Sequence, residues 1–371
     1  MIQQASVQFD THLRIERFPR PQSTDLQAWN SADRLLIEHV KQQIDSDQTL
    51  AIFNDDFGAL SCALANYSQY WYSDSWLAHQ ALAHNRSANQ LTVLRTRSTM
   101  EHPAPADAWL IKVPKNLAHL AHQLALISQV AKPNQPIILV SMVKFLSKGV
   151  FKLVEQYLGP LTTSLAQQKA RLIFSHLQKP ATPCEYPLRW HAAPYPWQLD
   201  DHANVFCLGK LDIGTRFLLN NLPKGHFSNI IDLGCGNGLL SLAARKHWPD
   251  AQIISCDESL MAVESATINM RYNYPDAEPR YQARADHCLS QQSDNWADLI
   301  LCNPPFHQQQ TISTAIAQQM FTDAYRALNK EGQLCIVANR HLPYPHLLKK
   351  QFGGIKVLAS NPKFVILVAI K

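Results

Sequence analysis

A chain of 371 residues with 46% hydrophobic content is longer than one hydrophobic core usually serves and too apolar to stay disordered, so two packed domains are expected. Its net charge of +5 and pI near 8.7 are mildly basic, compatible with a polyanionic partner without requiring one. Eight cysteines never fall at Cys-x-x-Cys spacing, and neither Met1 to Phe18 nor any later run offers a secretory core or the ~20 apolar residues of a membrane helix. A zinc ribbon, a disulfide framework and a membrane span are thereby disfavoured, and a cytoplasmic protein without a metal is expected.

In chain order, Val7 to Phe18 reads as a strand pair leading to Pro19, Arg20 and Pro21. Ser23-Thr24-Asp25 can cap a helix whose Leu26, Trp29, Leu36, Val40 and Ile44 fall on one face. Leu50 to Phe53 is an apolar strand that turns through Asn54-Asp55-Asp56-Phe57-Gly58 into a helical pattern, and Tyr70 to Ser75 and Ala106 to Lys115 follow as further strands with their ends. Gln178 to Trp197 carries Pro180, Pro183, Pro187, Pro194 and Pro196 among aromatic residues. It is expected to connect the domains, with Trp190 and Trp197 packed between them. The expected division is 1–178, a connection over 179–203, and 204–371.

The second half is richer in signal. Asn204-Val205-Phe206 precedes a helix expected from about Asp212 to Leu222. Ile230-Ile231-Asp232-Leu233 then enters Gly234-Cys235-Gly236-Asn237-Gly238 and a helical run, the first βα unit of a doubly wound sheet, where ligands bind at the carboxyl ends of strands. The glycines fall as Gly-x-Gly-x-Gly, not as the dinucleotide Gly-x-Gly-x-x-Gly, and Asp232 stands where an acceptor suits an ammonium group. A second strand, Ile253 to Asp257, ends in an acid suited to a ribose diol, and Ala285-Asp286-His287 suits an adenine edge. A third buried strand, Ala297 to Leu301, runs into Cys302-Asn303-Pro304-Pro305-Phe306. Two prolines keep that stretch extended and donate no N–H, so the Asn303 oxygen and the Pro304 carbonyl are suited to accept from a planar amine while Phe306 stacks on its ring. Phe321, Ala324, Tyr325 and Leu328 have helical spacing, with Gly332 expected to stop that helix, and Leu334 to Ala338 reads as the next buried strand. Ile355 to Val368 is a hairpin pattern around Ser360-Asn361-Pro362-Lys363. An antiparallel hairpin closing a parallel sheet separates methyltransferases from nicotinamide-type folds.

The first half repeats the second. Leu50 to Ser61 can be laid on Ile230 to Ser241 with Gly58 opposite Gly238, Asp74 falls opposite Asp257, and Lys112-Val113-Pro114-Lys115 falls opposite Asn303 to Phe306. A period this long means two copies of one domain. In the first copy Ile52 replaces Asp232, and Asn54 and Asp56 replace two glycines, so it is expected to keep the fold without the chemistry. Gripping RNA through Lys112, Lys115, Lys144, Lys148, Lys152, Lys169 and Arg171 is its expected role.

Residues 204 to 371 resemble a class I S-adenosylmethionine-dependent methyltransferase of the Asn-Pro-Pro-aromatic group. The whole chain is similar to the RlmG and RsmC family of ribosomal RNA guanine-N2 methyltransferases, nearer RlmG, through His202 to Phe206, Leu211-Asp212-Ile213-Gly214, Cys302 to Gln309 and Val337 to Leu342. The resemblance implies two tandem Rossmann-like α/β folds, the first degenerate and the second with a seven-stranded sheet. It implies an S-adenosyl-L-methionine site on Asp232, Gly234, Cys235, Gly236, Asn237, Gly238, Asp257, Phe206 and either Asp286 or His287. The base would be held by Asn303, Pro304, Pro305 and Phe306, and the implied partner is 23S rRNA, bound by a monomer. Two other substrates suit the same pocket: a 16S rRNA guanine, and adenine N6. A non-catalytic RNA-binding assembly protein is the alternative of another class, against which the intact second glycine turn speaks.

Overall fold

A computed structural model describes residues 13–19, 26–305 and 311–371, without the side chains of 311–314. The Ser23-Thr24-Asp25 cap, much of the strand pair from Val7, and Phe306 to Gln309 lie outside the described residues. The chain divides into two compact units, Met1–Tyr186 and Pro187–Lys371.

In the first unit the strands are β1 (Thr49–Phe53), β2 (Ser68–Tyr72), β3 (Thr96–Arg97), β4 (Ala108–Lys112), β5 (Ile137–Met142), β6 (Thr162–Thr163) and β7 (Ala170–Ser175). Its helices are α1 (Ser31–Gln43), α2 (Ala59–Ala63), α3 (Trp76–Ala88), α4 (Leu117–Val130) and α5 (Lys148–Tyr157). The sheet order is β3-β2-β1-β4-β5-β7-β6. After a hairpin of β8 (Leu188–His191) and β9 (Gln198–Asp201), the second unit adds β10 (Asn229–Leu233), β11 (Gln252–Asp257), β12 (Tyr281–Ala285), β13 (Ala297–Cys302), β14 (Leu328–Asn339), β15 (Lys356–Ser360) and β16 (Phe364–Ile370). Its helices are α6 (Ile213–Leu219), α7 (Leu239–His247), α8 (Leu260–Asn273), α9 (Thr311–Ala327) and α10 (Tyr344–Phe352). Its order, β12-β11-β10-β13-β14-β16-β15, is the same topology strand for strand. In both sheets only the last two pairings are antiparallel, so a single strand, β7 or β16, runs against the rest and the chain is two tandem doubly wound folds as its repeat indicated. Among the described residues, no helix is long and apolar enough to cross a membrane.

Alternation along the central strands builds the two cores of the second unit. Ile230, Leu299, Leu301, Cys335 and Val337 pack on one face with Leu242, Trp248 and Met270. Ile231, Leu233, Ile300, Cys302 and Ile336 pack on the other with Phe321, Ala324 and Leu348. Strands covered on both faces are continuous apolar runs, which is why they were legible from sequence.

Four expectations change. The first helix begins at Ser31 and its cap is Asn30, whose side chain accepts from Ala32 N at 2.8 Å, in place of the expected Ser23-Thr24-Asp25, so Leu26 and Trp29 precede the helix instead of lying on its face. The hairpin 188–201, expected in a connection, belongs to the second unit, and Trp197 is buried in that unit's core instead of standing between domains. Helix α6 is shorter than the expected 212–222 and is capped by Asp212, whose carboxylate accepts from Thr215 N at 2.8 Å. Helix α9 ends at Ala327, ahead of Gly332, which sits inside β14; a Cβ there would lie 3.0 Å from the Ala297 carbonyl, so this glycine permits close approach of two backbones instead of stopping a helix.

The duplication also appears in individual hydrogen bonds. Asn85 Nδ2 donates to the Phe57 carbonyl at 2.8 Å, and Asn269 Nδ2 to the Asn237 carbonyl at 2.9 Å. Each asparagine oxygen accepts from a backbone N–H on an extended segment, Glu16 in one unit and Asp200 in the other. Asn89 and Asn273 bridge Arg14 and Gln198 in the same way. Residues 14–16 are thus the counterpart of β9.

Candidate active site

The bend after β10 is built from left-handed residues. Gly234, Gly236 and Gly238 have φ of 73°, 52° and 81°, and Gly234 N and Cys235 N donate to the Cys256 carbonyl at 2.8 and 3.0 Å, anchoring the bend to β11. A Cβ at Gly238 would lie 3.0 Å from the Cα of Ala266, so glycine is needed there for α7 and α8 to approach. A Cβ at Gly236 would meet nothing within 4 Å among the described residues. Cys235 and Asn237 are both buried. Asn237 Nδ2 donates to Asp201 Oδ1 at 3.0 Å, and Asp201 also accepts from Trp190 Nε1 and Gly209 N. Asp201 therefore ties the 202–210 loop to the bend, and on that loop Phe206 is 56% exposed.

Asp232 is almost fully buried. Its Oδ2 accepts from Ser241 N at 2.9 Å and Ser241 Oγ at 2.7 Å, whereas Oδ1 is buried with no hydrogen-bond partner among the described residues. Burial pushes its pKa up to about 7. Asp257, at the end of β11, accepts from Gly236 N at 2.9 Å and from Ser259 N at 3.0 Å, so one carboxylate grips both the bend and the start of α8. The Asp286 carboxylate has no exposed surface and accepts from Ser290 Oγ and Gln291 N. It shapes its own turn, which leaves half-buried His287 as the neighbour with surface to offer; burial lowers the pKa of that ring.

Register sets Leu233 beside Cys302, so Asn303 follows directly alongside the glycine bend. Asn303 Nδ2 donates to Asp212 Oδ2 at 3.2 Å and to Thr215 Oγ1 at 2.9 Å, and Asn303 Oδ1 is buried without a partner among the described residues. Pro304 is buried, and the Pro305 carbonyl accepts from the Tyr344 hydroxyl at 2.5 Å. Burial raises that phenol to about 12, so it stays protonated and donating. The proline stretch is therefore held from α6 on one side and α10 on the other. Asp201, Asp212, Thr215 and Tyr344 went unnoticed as site residues in the sequence because their partners are far along the chain. Asn339, at the end of neighbouring β14, also carries a buried, unpartnered Oδ1. Phe306 lies outside the described residues.

The first unit shows what replaces this chemistry. Asp55 Oδ2 accepts from Ser61 N at 3.0 Å, the bond that Asp232 makes to Ser241, but the acid comes from the bend instead of the strand. Lys112 stands at the Asn303 position, its side chain only 13% exposed, with Nζ 2.7 Å from Asp33 Oδ1 and 3.4 Å from Asp56 Oδ2. Burial alone would lower its pKa, and the charges of Asp33, Asp56 and Asp55 outweigh that and raise it. Lys112 is thus spent inside the fold, which corrects the expectation that it grips RNA; its pairing with Asp33, on a distant helix, was invisible in the sequence. Lys112→Met should cost about 3–5 kcal/mol, because Asp33, 0% exposed, would lose its cation, with Tm falling by roughly 6–20 °C in calorimetry. An unchanged Tm together with weaker RNA binding would restore the surface role.

The chain matches the family model of the RLMG N-terminal domain over residues 3–179 and that of the methyltransferase small domain over residues 196–368. A protein named Ribosomal RNA large subunit methyltransferase G from Erwinia tasmaniensis is 43% identical, over 97% of this chain and 97% of its own. The protein of that name from Aeromonas hydrophila is 42% identical, again over 97% of both. Among solved structures, the T. thermophilus 16S rRNA N2 G1207 methyltransferase (RsmC), in complex with AdoMet and guanosine, shares the fold with a TM-score of 0.77 at 21% identity, over 97% of this chain and 95% of that one.

Proposed function

The chain belongs to the ribosomal RNA large subunit methyltransferase G family, and from that membership we propose that it transfers a methyl group from S-adenosyl-L-methionine to the exocyclic N2 of a guanine in 23S rRNA. The observation that carries the reading is Asn303 Oδ1, a buried acceptor without a partner among the described residues, on an amide held from behind, alongside the glycine bend. The residues present suit the cofactor. Gly236 leaves space that a side chain would fill, the unpartnered Asp232 Oδ1 suits an ammonium group, Asp257 suits a ribose diol, and Phe206 is exposed on the loop tied to the bend.

When bound, S-adenosyl-L-methionine supplies an electrophilic methyl group on a positively charged sulfur. The chain's own contribution is orientation. Asn303 Oδ1 and the Pro304 carbonyl take the two N–H bonds of the guanine amine, which draws the nitrogen lone pair out of conjugation, and their hold strengthens as positive charge grows on that nitrogen. Alignment of this kind can draw roughly 7–11 kcal/mol from prepaid entropy. No nucleophile on the protein is required; the surplus proton leaves to solvent or to a carbonyl. A paired guanine N2 is out of reach, so the base must be unpaired or extruded. Nucleoside mass spectrometry of rRNA incubated with the purified protein and labelled cofactor tests this. Label on N2-methylguanosine of 23S rRNA supports it, and label on adenine or on 16S rRNA only would overturn it.

In this reading the first unit positions the RNA in the cytoplasm where the ribosome is assembled. Lys115, Lys144, Lys148, Lys152 and Lys169 are exposed, and Lys115, Lys144, Lys148 and Lys169 follow the carboxyl ends of β4 and β5 or precede β7. Phe145 is 46% exposed beneath Lys144, whose Nζ lies 4.7 Å from the ring centre. Charge reversal at Lys144, Lys148 and Lys169 should raise KM for rRNA and flatten its logarithmic salt dependence by about 2, with kcat kept. An unaltered salt dependence would assign these lysines to water alone.

A further inference from the structure

We infer that Asp212 and Thr215 are positioning residues for methyl transfer: they hold the Asn303 amide the one way round that presents its oxygen, and not its NH2, to the substrate amine. The inference rests on the reading above, in which Asn303 meets an exocyclic amine. A primary amide has two ends of nearly equal shape, so packing alone does not choose between them; only the groups that face it do. Asp212 Oδ2 faces the amide at 3.2 Å, and a carboxylate can only accept, so the NH2 end must turn towards it. Thr215 Oγ1 accepts from the same NH2 at 2.9 Å. With both hydrogens taken, Oδ1 is left as the free end, buried and without a partner among the described residues. Rotated by half a turn, the amide would set its oxygen against the Asp212 carboxylate and offer NH2 to an amine that itself can only donate.

The sequence Leu211-Asp212-Ile213-Gly214-Thr215 supplies this geometry. Asp212 caps α6, Thr215 turns inward at 8% exposure, and Ile213 and Arg216 point out. Gly214 permits the close packing, since a Cβ there would lie 3.0 Å from Asp212 Oδ2 and 3.4 Å from Phe364 Cε1. The first unit makes the same helix-to-strand connection with other chemistry. Asp33, at the same turn position of α1 as Thr215 in α6, meets Lys112, at the same strand end as Asn303.

Asp212→Ser and Asp212→Asn separate orientation from capping, because serine and asparagine both cap helices well but only asparagine keeps an oxygen at the reach of Asn303. D212S should lower kcat on rRNA about 10- to 100-fold, with KM for rRNA and Kd for S-adenosyl-L-methionine within about 2-fold. D212N should recover kcat to within about 5-fold of the unaltered chain, and both variants should keep its Tm. Without cofactor, guanosine monophosphate followed by NMR should bind several-fold more weakly to D212S than to D212N. Equal kcat in D212S and the unaltered chain, or equal losses in both variants with a fall in Tm, would overturn the positioning role alone. Failure of the unaltered chain to label any rRNA guanine would overturn the functional reading and this role with it.

Discussion

Replacing Asn303 by alanine should lower kcat about 10²- to 10³-fold while the Kd for S-adenosyl-L-methionine stays within about 2-fold. The split follows from where the side chain is committed. Its NH2 is spent on Asp212 and Thr215, and its oxygen has no partner among the described residues, so alanine removes an acceptor that matters only when an amine is present. The protein should not unfold, because Asp212 keeps its bond to Thr215 N and continues to cap α6. Single-turnover kinetics with labelled cofactor, paired with calorimetry of cofactor binding, measure both halves. Parallel loss of cofactor affinity would make Asn303 a support of the glycine bend instead.

The complementary result is expected at Gly236. Asparagine tolerates positive φ better than other side chains, so G236N at φ 52° should fold with a Tm near that of the unaltered chain. Its side chain would enter space in which a Cβ meets nothing within 4 Å, and so should weaken S-adenosyl-L-methionine binding by about 10²-fold or more. The same substitution at Gly238 would be a poor test, since a Cβ there crowds the Ala266 backbone and damages the fold. Near-normal cofactor affinity in G236N would place the cofactor elsewhere. Asn303→Ala and G236N thus separate the two halves of the site: one loses turnover, the other the donor.

What could be read from the sequence was whatever local chemistry writes into adjacent residues. The parallel strands were legible because burial on both faces demands unbroken apolar runs such as Ile230 to Leu233, and the closing hairpin because Asn361 sits where its side chain accepts from Lys363 N and Phe364 N. Contacts between distant segments were not legible. Asp212 looks like any helix cap until β13 brings Asn303 against it, and Lys112 looks like any surface lysine until α1 brings Asp33. Asp286 stands just after β12, and each of its oxygens accepts from the turn that follows, Ser290 Oγ and Gln291 N. Gly332 was read as a helix stop because its clash partner, the Ala297 carbonyl, comes from another strand.

The paired asparagines have a corollary. The bonds of Asn85 and Asn269, and those of Asn89 and Asn273, are made in both units although the units differ at the glycine bend and at the strand end beside it, so they belong to the architecture that the two halves have in common. Residues that differ between the halves at matching positions, Asp232 against Ile52 and Asn303 against Lys112, lie at the candidate site of the second half. One polypeptide therefore carries the same fold twice with different residues at the corresponding strand ends, an internal comparison by which shared scaffold can be told from the residues particular to one half.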